Sequence, residues 1–174
     1  MFAAEKLLLT LSLISLSGCV QSQAPKTNTS VPFRLEDLKP YGQKGTGKIT
    51  GEAMVRAPDG DFSTAYGETI ELWPVTPFSK DVIRLRSSGV VVANDTDDVE
   101  NQMKAYVRKC VGGFLGEFEF TDLPPGEYLL TVDISWENYN EHGPQKGRTP
   151  ISEHVTIGKG ETKEVHLYGY VPRS

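Results

Sequence analysis

Cysteine is scarce: the 174 residues contain two, Cys19 and Cys110. If Cys19 is consumed by lipid, as its context suggests below, Cys110 stands alone and no internal disulfide can staple the fold. Cys110 then reads as a small core residue, with a reactive thiol or an intermolecular disulfide as the other readings. Histidine is as sparse, with His142, His154 and His166 and no H-E-x-x-H or comparable ligand spacing. His154 and His166 fall on outward strand positions and read as surface residues, since a metal site needs three or four convergent ligands. No glycine-rich phosphate loop follows a strand, and Ser87, Ser88 and Ser135 lie in no nucleophile-elbow motif. The acidic run Asp95, Asp97, Asp98 and Glu100 lacks the fixed offsets and bend glycine of a calcium loop. It reads instead as a solvated helix N-terminus, where carboxylates meet the positive end of the dipole. Basic patches are missing as well, and the formal net charge of −5 argues against a nucleic-acid footprint or recognition of anionic lipid.

Long apolar runs are limited to Leu7–Leu16, LLLTLSLISL, preceded by Lys6 and followed by Ser17 and Gly18. This is the layout of an export signal, too short to cross about 30 Å of hydrocarbon as a permanent helix. Leu16-Ser17-Gly18-Cys19 resembles the lipobox of bacterial lipoproteins. That resemblance implies cleavage before Cys19, a diacylglyceryl group on its thiol, and acylation of the new amino terminus with a palmitate-type chain. Several chains at one residue give stable anchoring without a spanning helix. Val20, where an inner-membrane retention signal would place Asp, implies the outer membrane in a cell with two membranes.

Residues 1–18 are thus expected to be a lipoprotein signal peptide. Residues 19–46, rich in Gln, Ser, Thr, Asn, Pro and Gly, are expected to be a lipidated flexible stalk, with docking at Phe33 and Leu35 left open. Residues 47–170 are expected to form one folded domain. From Lys48 onward the apolar period is two: Ile49, Gly51, Ala53 and Val55 alternate with polar or exposed-type positions, and Pro58-Asp59-Gly60 turns the chain. Ile70 and Leu72 mark a second strand. Phe118 and Phe120 alternate with Glu117 and Glu119. Tyr128, Leu130, Val132, Ile134 and Trp136 keep the same parity, so antiparallel strands with one dry face are predicted on both sides of Asp122-Leu123-Pro124-Pro125-Gly126. That turn predicts a left-handed backbone at Gly126. Strands are also predicted over 152–157 and 162–168, joined by Gly158-Lys159-Gly160. Val99, Met103, Tyr106, Val107 and Cys110 recur at spacings of three and four, predicting the principal helix within 94–110, with Asp97 and Glu100 as a capping box. Thr76-Pro77 suits the start of another short helix, although 82–92 could equally hold a strand.

Three segments carry a family resemblance: Gly47-Lys48-Ile49-Thr50-Gly51-Glu52-Ala53, Glu68-Thr69-Ile70-Glu71-Leu72-Trp73-Pro74, and Gly116-Glu117-Phe118-Glu119-Phe120 through Pro124-Pro125-Gly126-Glu127-Tyr128. Together they resemble the carboxypeptidase regulatory-like domain family over about residues 47–168. The resemblance implies a mainly β, transthyretin-like (prealbumin-like) Greek-key β-sandwich, with one or two short helices inserted in the long 73–113 region. It implies an accessory module with no cofactor, because no catalytic domain accompanies it here.

The expected function is therefore non-catalytic. The first reading is a structural or protein-interaction module of the outer membrane, binding another envelope protein through a sheet edge or through the 73–113 insertion. The alternative is a carbohydrate-binding module recognising cell-wall or surface polysaccharide. Its candidate recognition residues are Trp136, Tyr139 and His142, at a strand end and in an expected 137–149 loop; core packing is the competing role for Trp136 and Tyr139. A glycosidase pair at Glu117 and Glu119 is the weakest reading, since alternation on a wet strand already explains both.

Overall fold

The computed structural model describes residues 25–171 except 89, 141 and 142, with backbone alone at 87, 139 and 140. Cys19, Val20 and the export signal lie outside the described residues. In chain order the first elements are β1 (Lys26–Thr27), β2 (Gly47–Arg56), β3 (Phe62–Thr64), β4 (Thr69–Pro74), α1 (Pro77–Ser87) and β5 (Val91–Val92). There follow α2 (Asp97–Lys104), β6 (Arg108–Val111), β7 (Glu117–Leu123), β8 (Gly126–Asn140), β9 (Gly143–Ile157) and β10 (Thr162–Tyr170). Short 3₁₀ turns occupy Leu35–Asp37 and Lys39–Gly42.

Eight of the strands form two packed sheets, and β1 and β5 pair separately in a short parallel ladder, Lys26↔Val91 and Thr27↔Val92. In the first, β2 is flanked on one side by β10 and on the other by β7 and β3 in succession. The second runs β6-β4-β8-β9. Alternation decides what faces inward: Ile49, Ala53 and Val55 of the first sheet meet Ile70, Leu72, Leu130, Val132 and Ile134 of the second in one buried core. The result is a mainly β, transthyretin-like sandwich with two short helices. All pairings between neighbours in these sheets are antiparallel but one, for β10 lies parallel to β2 from Thr162↔Lys48 to Tyr170↔Arg56.

Four local expectations are corrected by the packing. Alternation on both sides of the Pro124-Pro125 corner suggested a hairpin, yet β7 pairs with β2 whereas β8 pairs with β4 and β9. The two prolines carry no N–H for a ladder, and the chain there passes from one sheet to the other. Tyr128 Oη donates to the Pro124 carbonyl at 2.7 Å and ties the corner down. Burial pushes that phenol far above its ordinary pKa.

The left-handed residue near this corner is Asp122, at φ 57°, rather than Gly126. Gly126 is demanded by space instead, because a Cβ there would lie 2.8 Å from the Tyr41 ring.

The helix predicted within 94–110 ends at Lys104, and Cys110 lies on a strand opposite Ile70. Thr96, not Asp97, caps α2 by accepting from Val99 N at 3.4 Å. Met103 does face inward from α2, but the free ladder edge of β4 captures Arg108–Val111, and pairing overrides their helical spacing. The longer helix is α1, started by Pro77 and by a reciprocal Thr76–Ser79 capping box.

The fourth correction concerns residues 25–46, assigned on composition to the stalk. They lie against the sandwich: Leu38 is fully buried, Phe33 packs edge-on to Phe78 at 5.5 Å, and Tyr41 Oη donates to Val75 O at 3.0 Å. Leu35 stays exposed. Upstream, Ser30 donates through N and Oγ to Asp81 Oδ2 at 2.7 and 3.0 Å, and Thr29 and Asn94 exchange two hydrogen bonds. Arg84 completes the shell of Asp81, and its hydrogen bond, with that of the Ser30 amide, holds the carboxyl below its usual pKa.

Candidate functional site

The outward parity of β4 places Glu71 and Trp73 on the outer face of the second sheet, beside Leu129 and Thr131 of β8. In a bare sheet these would face water. Here α1 and α2 fold back over them without closing the gap, which leaves a cleft of about 360 Å³. Its helical wall is apolar, from Phe78, Val82, Ile83 and Met103, while Arg86, Asp95 and Glu100 join Glu71 among its polar lining. Phe78 and Val82 belong to a small core of their own with Val92, which holds α1 in place.

The polar groups are preset. Trp73 Nε1 donates to Glu71 Oε2 at 2.9 Å, and the other oxygen of Glu71 meets Lys109 Nζ at 2.6 Å. Arg86 donates to Asp95 Oδ2 at 2.6 Å. An aromatic ring held at a fixed angle, with a planar guanidinium and carboxylates nearby, suits a ligand having one apolar face and several hydroxyls. Ser79 and Thr131 bring hydroxyls to the lining, and Ser79 serves the helix cap by accepting from Thr76 N at 2.8 Å. No group of three or more metal-ligating side chains occurs among the described residues.

The residues expected to carry recognition lie elsewhere. Residues 137–140 and 143–149, expected as part of a loop, form the far part of the β8–β9 ribbon, whose register runs to Asn140↔Gly143. Trp136 is half-buried at its base, packs on the core, and donates from Nε1 to Thr149 Oγ1 at 3.0 Å. A Cβ on Gly147 opposite would sit 2.5 Å from the indole, so the ring lies flat on that backbone. The backbone of Tyr139 pairs with Pro144, while its side chain and His142 lie outside the described residues. Beside Trp136, Arg148 binds Asp133, Ser135 and Glu68. Glu68 is held below its ordinary pKa although burial acts against this, because Ser135 and Arg148 donate to it.

Cys110 is half-buried, and desolvation raises its thiol pKa, as befits a packing residue. His154 is exposed on β9, and His166 is exposed on β10 within 3.3 Å of Glu52. Sequence reasoning passed over the Trp73 cleft. Its signal was a tryptophan on the wet parity of β4, directly before a helix that folds back over the strand.

No family model and no curated protein matches this chain. Among solved structures, one from Pseudomonas aeruginosa, described as a candidate carbohydrate binding protein, superposes with a TM-score of 0.63 at 18% identity. The match covers 78% of this chain and 97% of that one, so the two share a β-sandwich fold.

Proposed function

We propose that this protein is a non-catalytic, carbohydrate-binding lipoprotein of the bacterial outer membrane, anchored through acyl chains on Cys19 and seating a sugar ring against Trp73. The observation that carries the reading is the cleft itself. A pyranose has an apolar face that stacks on an indole and a rim of hydroxyls that donate to carboxylates and accept from guanidinium. Trp73, Glu71, Arg86 and Asp95 supply that combination in one concavity. The description of the Pseudomonas structure points the same way, as does the resemblance of residues 47–168 to an accessory domain family. The anchor and its membrane rest on the lipobox and on Val20.

Tryptophan fluorescence tests the cleft directly, because the chain has two tryptophans. In lipid-free Cys19→Ser protein, Trp136→Phe leaves Trp73 as the sole reporter, and titration with soluble cell-wall and surface oligosaccharides should shift its emission. Trp73→Ala, followed by calorimetry, should weaken binding roughly tenfold or more. Absence of binding to any such glycan, or binding indifferent to Trp73→Ala, would overturn the reading.

A second reading, an envelope protein partner, is favoured by one observation. Val111, Phe114, Leu115 and Tyr66 are all exposed around the β6–β7 connection, with the Tyr66 and Phe114 rings 5.7 Å apart. A photo-crosslinker at Phe114 in intact cells should then yield one stoichiometric adduct that Leu115→Asp abolishes. Recovery of uncrosslinked protein alone would remove this reading.

A further inference from the structure

Among the described residues, the insertion lies over the second sheet and the outer face of the first sheet is left open. On β10, Val165 and Leu167 point into the core, so Glu164, His166, Tyr168 and Tyr170 point out. Tyr168 is 53% exposed and Tyr170 76%. The register sets Tyr168 beside Met54 and Tyr170 beside Arg56, and β3 sets Phe62, 65% exposed, on the far side of Arg56. Strands lie about 4.8 Å apart, so Tyr170 and Phe62 flank Arg56 across roughly 10 Å. Along β10 the outward positions repeat at about 6.6 Å. The rings therefore form a shallow platform rather than a pocket.

We infer that this face is a second carbohydrate site, which binds an extended, uncharged polysaccharide chain laid across Tyr168, Tyr170 and Phe62. It rests on the preceding reading only for the class of ligand and uses none of its residues. Three observations select that occupant. Part of the platform is prearranged: Tyr168 stacks on His166 at 5.5 Å and 28°, its hydroxyl donates to Glu52, and Glu52 lies 3.3 Å from His166 Nδ1. Polar groups interleave with the rings, as a hydroxylated polymer requires and an apolar protein helix does not. Finally, Glu52, Glu117, Glu119 and Glu164 are among the residues lining the groove that continues the platform, and although Lys48 pairs with Glu119 and Arg56 lies on the platform, this excess of carboxylates disfavours uronate polymers and phosphorylated headgroups. Each ring meets one sugar weakly, so affinity arises from several simultaneous contacts along one chain.

The test is retention of the lipid-free Cys19→Ser protein on insoluble cellulose, on chitin and on an alginate gel at physiological salt. Retention on at least one uncharged polymer should exceed that on alginate tenfold or more, and Tyr168→Ala/Tyr170→Ala should abolish the difference. Tyr170→Ala alone, at an exposed ring whose loss leaves the urea midpoint unchanged, should lower retention severalfold and guard against misfolding as the cause. Trp73→Ala should leave polymer retention within twofold while weakening soluble oligosaccharides. Retention indifferent to both tyrosines overturns the platform and leaves the cleft standing. Polymer retention that requires the tyrosines, with no soluble glycan sensitive to Trp73→Ala, leaves the platform standing and overturns the cleft. Dimers that Tyr170→Ala dissociates, without retention on any polymer, assign the face to self-association and overturn the platform.

Discussion

Leu38→Ala decides whether residues 25–46 belong to the folded unit. Leu38 has no exposed surface, although no periodic pattern around it marks a core residue. Transfer of a leucine side chain out of water is worth about 1.5–3 kcal/mol, and truncation to alanine adds a cavity term that brings the loss to about 2–5 kcal/mol. The upper part of that range applies where the surroundings cannot collapse. Here the segment is held on either side, by Ser30 on Asp81 and by Tyr41 on Val75. We therefore expect a loss of about 3 kcal/mol, a large share of the roughly 5–15 kcal/mol that holds a domain together. Urea unfolding followed by tryptophan emission reads this as a midpoint lowered by about 1–2 M at an m-value of about 2 kcal/mol/M. If the segment were a detached stalk, the substitution would fall among exposed changes, within about 0.5 kcal/mol, and a midpoint moved by less than about 0.3 M would refute the docking. The outcome bears on position as well as stability. If Cys19 carries lipid as proposed, the chain between it and Pro25 spans at most about 20 Å, and a docked segment would then keep the domain close to the bilayer.

Three further perturbations test separate features of the packing. Gly126→Ala should cost about 1–3 kcal/mol by overpacking against the Tyr41 ring, with partial recovery in Gly126→Ala/Tyr41→Leu; an unchanged urea midpoint in the single variant would refute the contact. Asp81 titrates below its ordinary value because Arg84 and the Ser30 amide hydrogen-bond its charged form. Its contribution is thus fully present above the unfolded carboxylate's pKa of about 3.9 and disappears as pH falls through the depressed folded value. Asp81→Asn should flatten the acid limb of the stability profile below about pH 4, and identical limbs in both proteins would refute the latch. Cys110, its thiol raised by burial, should react with an aromatic disulfide at pH 8 roughly tenfold more slowly when folded than in urea; equal rates would show an accessible thiolate.

Much of the fold is legible because alternation is a local property. Tyr128, Leu130, Val132 and Ile134 share one parity in sequence and one buried face in space. Thr76-Pro77 likewise starts a helix through contacts within one turn, and Gly160 takes the positive φ that its tight link requires. Partnership is another matter. Parity says which side of β7 is dry, but nothing in Glu117–Leu123 says that its neighbour is β2 rather than β8. The parallel lie of β10 against β2 is invisible for the same reason. Phe33, Leu38 and Tyr41 follow neither a period of two nor one of 3.6, so composition made their segment look like linker. Cys110 shows the opposite failure: its helical spacing from Met103 and Tyr106 is real in the chain and irrelevant in space, because β4 offers a ladder.

The candidate sites were hidden by a step beyond partnership, namely which outer face remains uncovered. In a two-sheet sandwich the inner faces are used up by the core, so recognition falls to outer faces, edges and loops. An outward residue on such a strand is ordinarily polar, and single apolar exceptions carry little meaning. Trp73, Tyr168, Tyr170 and Phe62 depart from this at two places: Trp73 beneath a helical roof that stops short of closing, and the other three on β10 and β3, either side of β2 on the outer face of the first sheet. Core packing does not account for rings that face away from the core. A strand edge seeking another strand does not account for them either, because edge pairing uses backbone groups and leaves face residues indifferent. The proposed carbohydrate recognition would account for both places at once. It calls for aromatic surface in the open with hydrogen-bonding groups alongside, which Glu71 and Arg86 supply at the cleft and Glu52 and His166 at the platform.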